Sequence, residues 1–296
     1  MRTAFIEQLI LEARINPKIF LLVGDLGFSV VEPFAKEFPD RFINVGIAEQ
    51  NMTAVASGLA MEGYTVFTYS IANFPTLRCM EQIRYDVCYH NLDVKIVAVG
   101  AGYAYASLGP SHHATEDIGM LRTIPGLTIA SPGDPLEARR LTTLLSRNPG
   151  PAYLRLGKAG EAVVHPAEPE IRMGKPVLVK DGKETAVFAT GSILKYAHDQ
   201  LKDEKRDWAL FSFPVIKPID GEALLPVFKK FNMIICIEEH QLSAGFGSAV
   251  LEKANDLLQA GLLEKFPHIN RVGIQDEFIS IAGTQDFIRN RAGLVL

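Results

Sequence analysis

One carboxylate, Glu49, stands between an apolar run and a helix-forming stretch in the string Asp40-Arg41-Phe42-Ile43-Asn44-Val45-Gly46-Ile47-Ala48-Glu49-Gln50-Asn51-Met52. A helix start favours negative charge for any purpose, because free amides and the helix dipole point there. The apolar residues Ile43, Val45 and Ile47 just before it suggest more: a dry site, where a proton held by that carboxyl can serve acid-base chemistry. Further along, Phe74 lies in Tyr69-Ser70-Ile71-Ala72-Asn73-Phe74-Pro75-Thr76-Leu77-Arg78. An aromatic face there offers a stacking surface for a flat heterocycle, or simply a core ring at a strand end. His112 and His113 close a Gly-rich stretch from Gly100 to Asp117. A neutral imidazole can bond substrate oxygens or move a proton near pH 7. Two adjacent side chains diverge and no matching carboxylate cluster is legible, so a metal centre is not expected.

These residues need a scaffold, and the hydrophobic pattern supplies one. Short, β-branched, nearly continuous apolar runs at 19–26, 64–70, 94–99, 127–130 and 152–156 alternate with helix-length amphipathic runs, as parallel strands buried on both faces require. The stretch 3–14 reads as a helix stopped by Asn16-Pro17, and 135–147 as a helix with Asp134 as N-cap, Pro135 at its first position and Asn148-Pro149-Gly150 at its end. The pattern lapses between 165 and 176 into a linker containing Pro166, Pro169 and Gly174. A second α/β unit follows, with strands expected at 177–179, 186–189, 209–213, 234–237 and 271–274, and helices at 193–202, 221–231, 247–258 and 285–291. The expected fold is α/β: two three-layer α/β/α domains with mostly parallel sheets, at 1–165 and 177–296.

Composition narrows the partners. With 48% hydrophobic and 22% charged residues and a net charge of -4, the chain carries no basic field for nucleic acid or an anionic membrane. Glu7 and Glu12 interrupt any secretory apolar core, and no apolar run reaches the roughly 18 residues of a membrane span. A cytoplasmic protein is expected. Cys79, Cys88 and Cys236 lack the spacing of a disulfide framework or zinc site and read as buried thiols.

The string around Glu49, followed by the Gly58 and Gly63 rhythm, resembles the pyrimidine-binding domain of transketolases, in which this Glu activates thiamine diphosphate. The cofactor must lose a proton from its thiazolium carbon, and a carboxyl group sharing a proton with its pyrimidine ring favours the tautomer that takes it. The resemblance makes Glu49 and His112 catalytic, places Phe74 on the pyrimidine, and sets Asp25, Leu26 and Arg78 beside the cofactor. It also lines Arg2, Ser29, His112 and Arg155 up with groups that hold a sugar phosphate, with Lys158 as an alternative to Arg155. A guanidinium and a hydroxyl suit a phosphate. Ile237-Glu238-Glu239-His240, then Gly245-Phe246-Gly247-Ser248-Ala249, resembles the transketolase C-terminal domain, which is mainly structural and dimer-forming.

The chain also departs from that family. Ile71 and Leu77 stand where aromatics are usual, Leu108 where an Asp reads a sugar hydroxyl, and Gly100 where a His binds phosphate. The Gly-Asp-Gly motif that holds the diphosphate through a metal is missing, Gly24-Asp25-Leu26 being the nearest string. The resemblance therefore implies the C-terminal subunit of a split transketolase. It would need a separate N-terminal subunit to bring the diphosphate site and its Mg2+ or Ca2+, in an α2β2 assembly acting on small sugars or sugar phosphates. A deoxyxylulose-phosphate synthase, a 2-oxo acid dehydrogenase β subunit and a catalytically lapsed partner remain alternatives.

Overall fold

The computed structural model describes residues 1–202 and 206–296. The first segment contains β1 (Ile19–Val23), β2 (Phe42–Asn44), β3 (Thr65–Ile71), β4 (Val94–Val99), β5 (Thr128–Ala130) and β6 (Ala152–Leu156). Its helices are α1 (Arg2–Ile15), α2 (Glu32–Glu37), α3 (Glu49–Met61), α4 (Asp117–Arg122) and α5 (Pro135–Arg147), with a wide-turn helix at Gln82–Tyr89. The second segment adds β7 (Val177–Lys180), β8 (Thr185–Ala189), β9 (Trp208–Ser212), β10 (Val215–Lys217), β11 (Met233–Gln241) and β12 (His268–Ile274). With them come α6 (Ile193–Gln200), α7 (Gly221–Lys230), α8 (Phe246–Gln259) and α9 (Gln285–Arg291). The two sheets run in the orders β10-β5-β6-β4-β3-β1-β2 and β12-β11-β8-β9-β7.

All pairs of the first sheet are parallel except β10 on β5, and all pairs of the second except β7 on β9. Full burial of β1, β4 and β6 explains their unbroken apolar runs. The cover is double. In the first sheet, Phe5, Leu9, Leu141 and Leu145 of α1 and α5 pack with Leu21, Val97 and Leu154 on one face. Met52 and Ala56 of α3 pack with Leu22, Val66 and Ile96 on the other. Asp134 caps α5 as its position implies, accepting from the Glu137 amide at 2.9 Å.

The strand expected at 19–26 stops at Val23, because Asp25, Gly27 and Ser29 take φ of 53°, 91° and 63° and turn the chain out of the sheet. β10 is an element the periodicity does not predict: three residues bracketed by Pro214 and Pro218. It succeeds as an antiparallel edge strand, where missing amide donors face away from the ladder. Its position ties the second segment into the first sheet, and the core containing Ile96 and Ile129 continues into Phe188 and Phe213 of the second.

Candidate active site

Glu49 opens α3 and is buried, with 1% exposure. Its Oε1 accepts from the Ser70 hydroxyl at 2.9 Å, and its Oε2 lies 3.3 Å from Arg78 Nη1. Arg78 is itself about half exposed, so the second contact is a long one at the edge of solvent. Ser70 ends the buried part of β3, and Gly24 follows β1. A Cβ at Gly24 would stand 3.4 Å from both Glu49 Oε1 and Ser70 Oγ, so the bare glycine leaves room above the carboxylate. The carboxyl ends of adjacent parallel strands are where such folds build ligand sites.

From Glu49 the contacts run on without a break. The Arg78 guanidinium lies over the half-buried Phe74 ring at 4.7 Å, and Phe74 meets the His112 ring edge-on at 5.5 Å. The Ser111 hydroxyl is 3.0 Å from His112 Nδ1, and the Asn73 amide donates to the Ser111 carbonyl, locking the Phe74 and His112 loops together. Residues 49, 74, 78 and 112, spread over more than 60 positions of sequence, thus form one wall. Ile47 and Phe28 lie 79% and 74% exposed, and Leu77 40%, leaving apolar surface uncovered.

Asp25 is exposed and tied to Asn44 by reciprocal bonds of 2.9 and 3.1 Å, while Leu26 is half-buried. Ser29 is exposed in the turn after β1, its amide donating to Glu32 at 2.7 Å. Arg2, half-buried at the start of α1, keeps a buried Nε without a partner.

Arg155 requires a correction. It is 2% exposed, donates from Nε and Nη2 to Asp117 at 2.7 and 3.2 Å, and also donates from Nη2 to the Ala114 and Glu239 carbonyls. With the guanidinium spent on internal acceptors and hidden from solvent, it holds the two segments together and does not present itself to a substrate phosphate. Lys158, three residues on, is half-buried, and its carbonyl accepts from the amino group of Met1, next to Arg2. Glu238, Glu239 and His240 are likewise internal. Glu238 accepts from the Phe246 and Gly247 amides at the start of α8, Glu239 pairs with Arg289 at 2.6 Å, and His240 Nε2 accepts from the Gly119 amide at 3.0 Å.

Two site residues escape sequence reasoning. Ser70 is an ordinary strand residue until the fold sets it against Glu49; the only signal is its place on the same face of β3 as Thr68. Tyr105 matters because of Gly100, whose φ is 104° and whose missing Cβ would come within 2.4 Å of the Tyr105 ring. The tyrosine occupies the space a side chain at 100 would need. Leu108 is 55% exposed on the turn that follows.

Residues 1–160 match the model of the transketolase pyrimidine binding domain, and 174–286 that of the transketolase C-terminal domain. The chain is 34% identical over 281 residues to one of the subunits of the apulose-4-phosphate transketolase of Phocaeicola vulgatus, covering 93% of this chain and 88% of that protein. It is 30% identical over 298 residues to a 6-deoxy-6-sulfo-D-fructose transketolase subunit of a Clostridium species, covering 99% and 90%. To 1-deoxy-D-xylulose-5-phosphate synthase 1 of Geobacter sulfurreducens it is 32% identical over 289 residues, which is 95% of this chain but 44% of that one. A solved split gene transketolase, described as an inactive beta4 tetramer, superposes with a TM-score of 0.85 at 32% identity, covering 99% of this chain and 93% of the other. The chain belongs to the transketolase family and comprises its pyrimidine binding and C-terminal domains, matching subunits of split transketolases along nearly its whole length.

Proposed function

We propose that this chain supplies the pyrimidine half of a composite thiamine diphosphate site and, with an N-terminal subunit holding the diphosphate and its Mg2+ or Ca2+, transfers a two-carbon ketol unit from a ketose to an aldose. The observation that carries this reading is Glu49: a buried carboxylate with one hydroxyl and one long guanidinium contact, roofed by Gly24 and followed by an aromatic face. When bound, the cofactor supplies a nucleophilic carbon for the group transferred.

Glu49 would hold a proton toward the pyrimidine of a bound cofactor, and Ser70 fixes the carboxylate's orientation. Phe74 would give the cofactor's ring an apolar face, and Asp25 and Leu26, in the turn after β1, would border it. Arg78 closes the edge by touching both Glu49 and Phe74. His112, oriented by Ser111, bonds substrate oxygens and shuttles protons. Arg2 and Ser29, with Lys158 in place of Arg155, hold a substrate phosphate. The exposed Phe28, Ile47 and Leu77 are the surface the N-terminal subunit covers, and two such composite sites make an α2β2 particle. Relatives are named for apulose 4-phosphate and 6-deoxy-6-sulfo-D-fructose, both ketoses and so on the donor side of such a transfer; an acceptor other than ribose 5-phosphate is inferred from Leu108 and Gly100 alone.

Calorimetric titration with cofactor and Mg2+ tests the split site. The chain alone gives no tight binding, and both binding and ketol transfer appear on adding the N-terminal subunit; tight binding by the chain alone overturns the reading.

A further inference from the structure

Glu49 is only 1% exposed, yet activating a cofactor requires it to touch a bound ring. A neighbour has to give way. Ser70, which donates to Oε1 at 2.9 Å, is fully buried within β3, and Gly24 has no side chain to move. The Arg78 guanidinium, 3.3 Å from Oε2, belongs to a side chain that is 47% exposed. Arg78 is the neighbour free to withdraw. Its backbone need not follow, because the Arg78 carbonyl accepts from the Gln50 side chain at 2.9 Å, tying the turn Leu77–Cys79 to α3.

The guanidinium also has a second contact, lying over the Phe74 ring at 4.7 Å from its centroid while Nη1 reaches Glu49. A flat group with N–H donors, set between an aromatic ring and a buried carboxylate, reproduces the two contacts expected of an aminopyrimidine. A cation there serves the chain in its own right, since a buried carboxylate without a partner is costly. The two occupants exclude each other. A cation against a carboxyl group opposes the proton that the group must share with the ring, and the guanidinium covers the Phe74 ring assigned to the pyrimidine. Among the described residues this is the only ion pair Arg78 makes, and it is a long one.

We propose that Arg78 is a stand-in for the cofactor's aminopyrimidine: it pairs with Glu49 and covers Phe74 in the chain by itself, and rotates out to the edge of the site when the ring takes over both contacts. That the ring is a pyrimidine rests on the thiamine diphosphate reading. Every ring that binds must first displace the guanidinium, so its apparent affinity is reduced by the fraction of chains in which Arg78 has withdrawn.

The test uses the chain itself and 4-amino-5-hydroxymethyl-2-methylpyrimidine, the cofactor's ring without its diphosphate, so that neither metal nor second subunit enters. Binding is followed by saturation-transfer NMR. R78A should bind this probe about 10-fold more tightly than the parent, a gain of about 1.4 kcal/mol. Methylguanidinium, which restores the missing group, should displace the probe from R78A. A probe that stays bound in its presence sits elsewhere, and that overturns the proposal. So does R78A binding no more tightly than the parent, or no binding to either chain, because Arg78 is then not what keeps the ring out. R78Q removes the charge yet leaves Glu49 a donor; it is the variant to read if R78A melts well below the parent, and its gain should be smaller and of the same sign. Ketol transfer is read separately, by titration with the N-terminal subunit, so failure of the displacement is distinguishable from failure of that reading.

Discussion

Glu49 and Asp117 are equally buried, each 1% exposed, yet the fold treats them in opposite ways. Asp117 receives Arg155 from two nitrogens and the Tyr153 hydroxyl at 2.6 Å, all inside the protein. Burial pushes its carboxyl up, but the charge and hydrogen bonds of Arg155 outweigh that and hold it below the usual carboxylate range. Glu49 has a serine and the rim of a half-exposed arginine. A fully paired buried charge is committed to holding two segments together, whereas an underpaired one beside open space is available to a ligand. The same contrast separates Arg155 from Arg2, whose Nε is unpaired.

Breaking each centre in turn should sharpen the contrast. R155M removes the partner of a buried carboxylate and should cost about 3 to 5 kcal/mol of stability, read by urea unfolding. A loss below about 1 kcal/mol would mean that Asp117 finds water or takes a proton at little cost. E49Q should do the reverse in the enzyme assembled with its N-terminal subunit. Activity should fall about 10²- to 10⁴-fold because an amide cannot share the required proton, while the unfolding midpoint stays near that of the parent. Activity within a few-fold of the parent would make Glu49 only a helix-end carboxylate.

A smaller effect is expected where the first segment hands over to the next. His165 Nε2 lies 2.7 Å from Glu137 Oε1, and the Val164 and His165 amides both donate to Asp134. Burial lowers the His165 imidazole, but the Glu137 hydrogen bond and charge prevail and raise it above the ordinary histidine value of 6.5. Protonated His165 therefore favours the folded state. That contribution is complete below pH 6.5 and fades as pH rises through the raised folded value. The difference in melting temperature between the parent and H165Q should be largest in mild acid and shrink through the alkaline side of neutrality. A difference that does not change with pH would leave the latch to the backbone amides alone.

Whatever depends on neighbours along the chain was legible before any fold was known. Strands Val94–Val99 and Ala152–Leu156 and helices Pro135–Arg147 and Gln285–Arg291 fall where periodicity and caps put them, since a period of 2 or 3.6 and a Pro or Asp at a terminus are local facts. The three cysteines are buried free thiols, as their scatter implied. The string around Glu49 was readable because so many of its features lie within a dozen residues. What depends on distant groups waited for the packed molecule. Arg155 lines up by resemblance with a phosphate-holding group until Asp117 and the Glu239 carbonyl close on it, and Gly100 stands only as a departure from a phosphate-binding His until Tyr105 is seen to fill the gap. β10 is hidden by its two prolines because only the edge of another segment's sheet makes that strand stable. Local propensity sets the elements, whereas whether a charged or polar side chain is free or spent is settled by which groups the fold brings within hydrogen-bond reach.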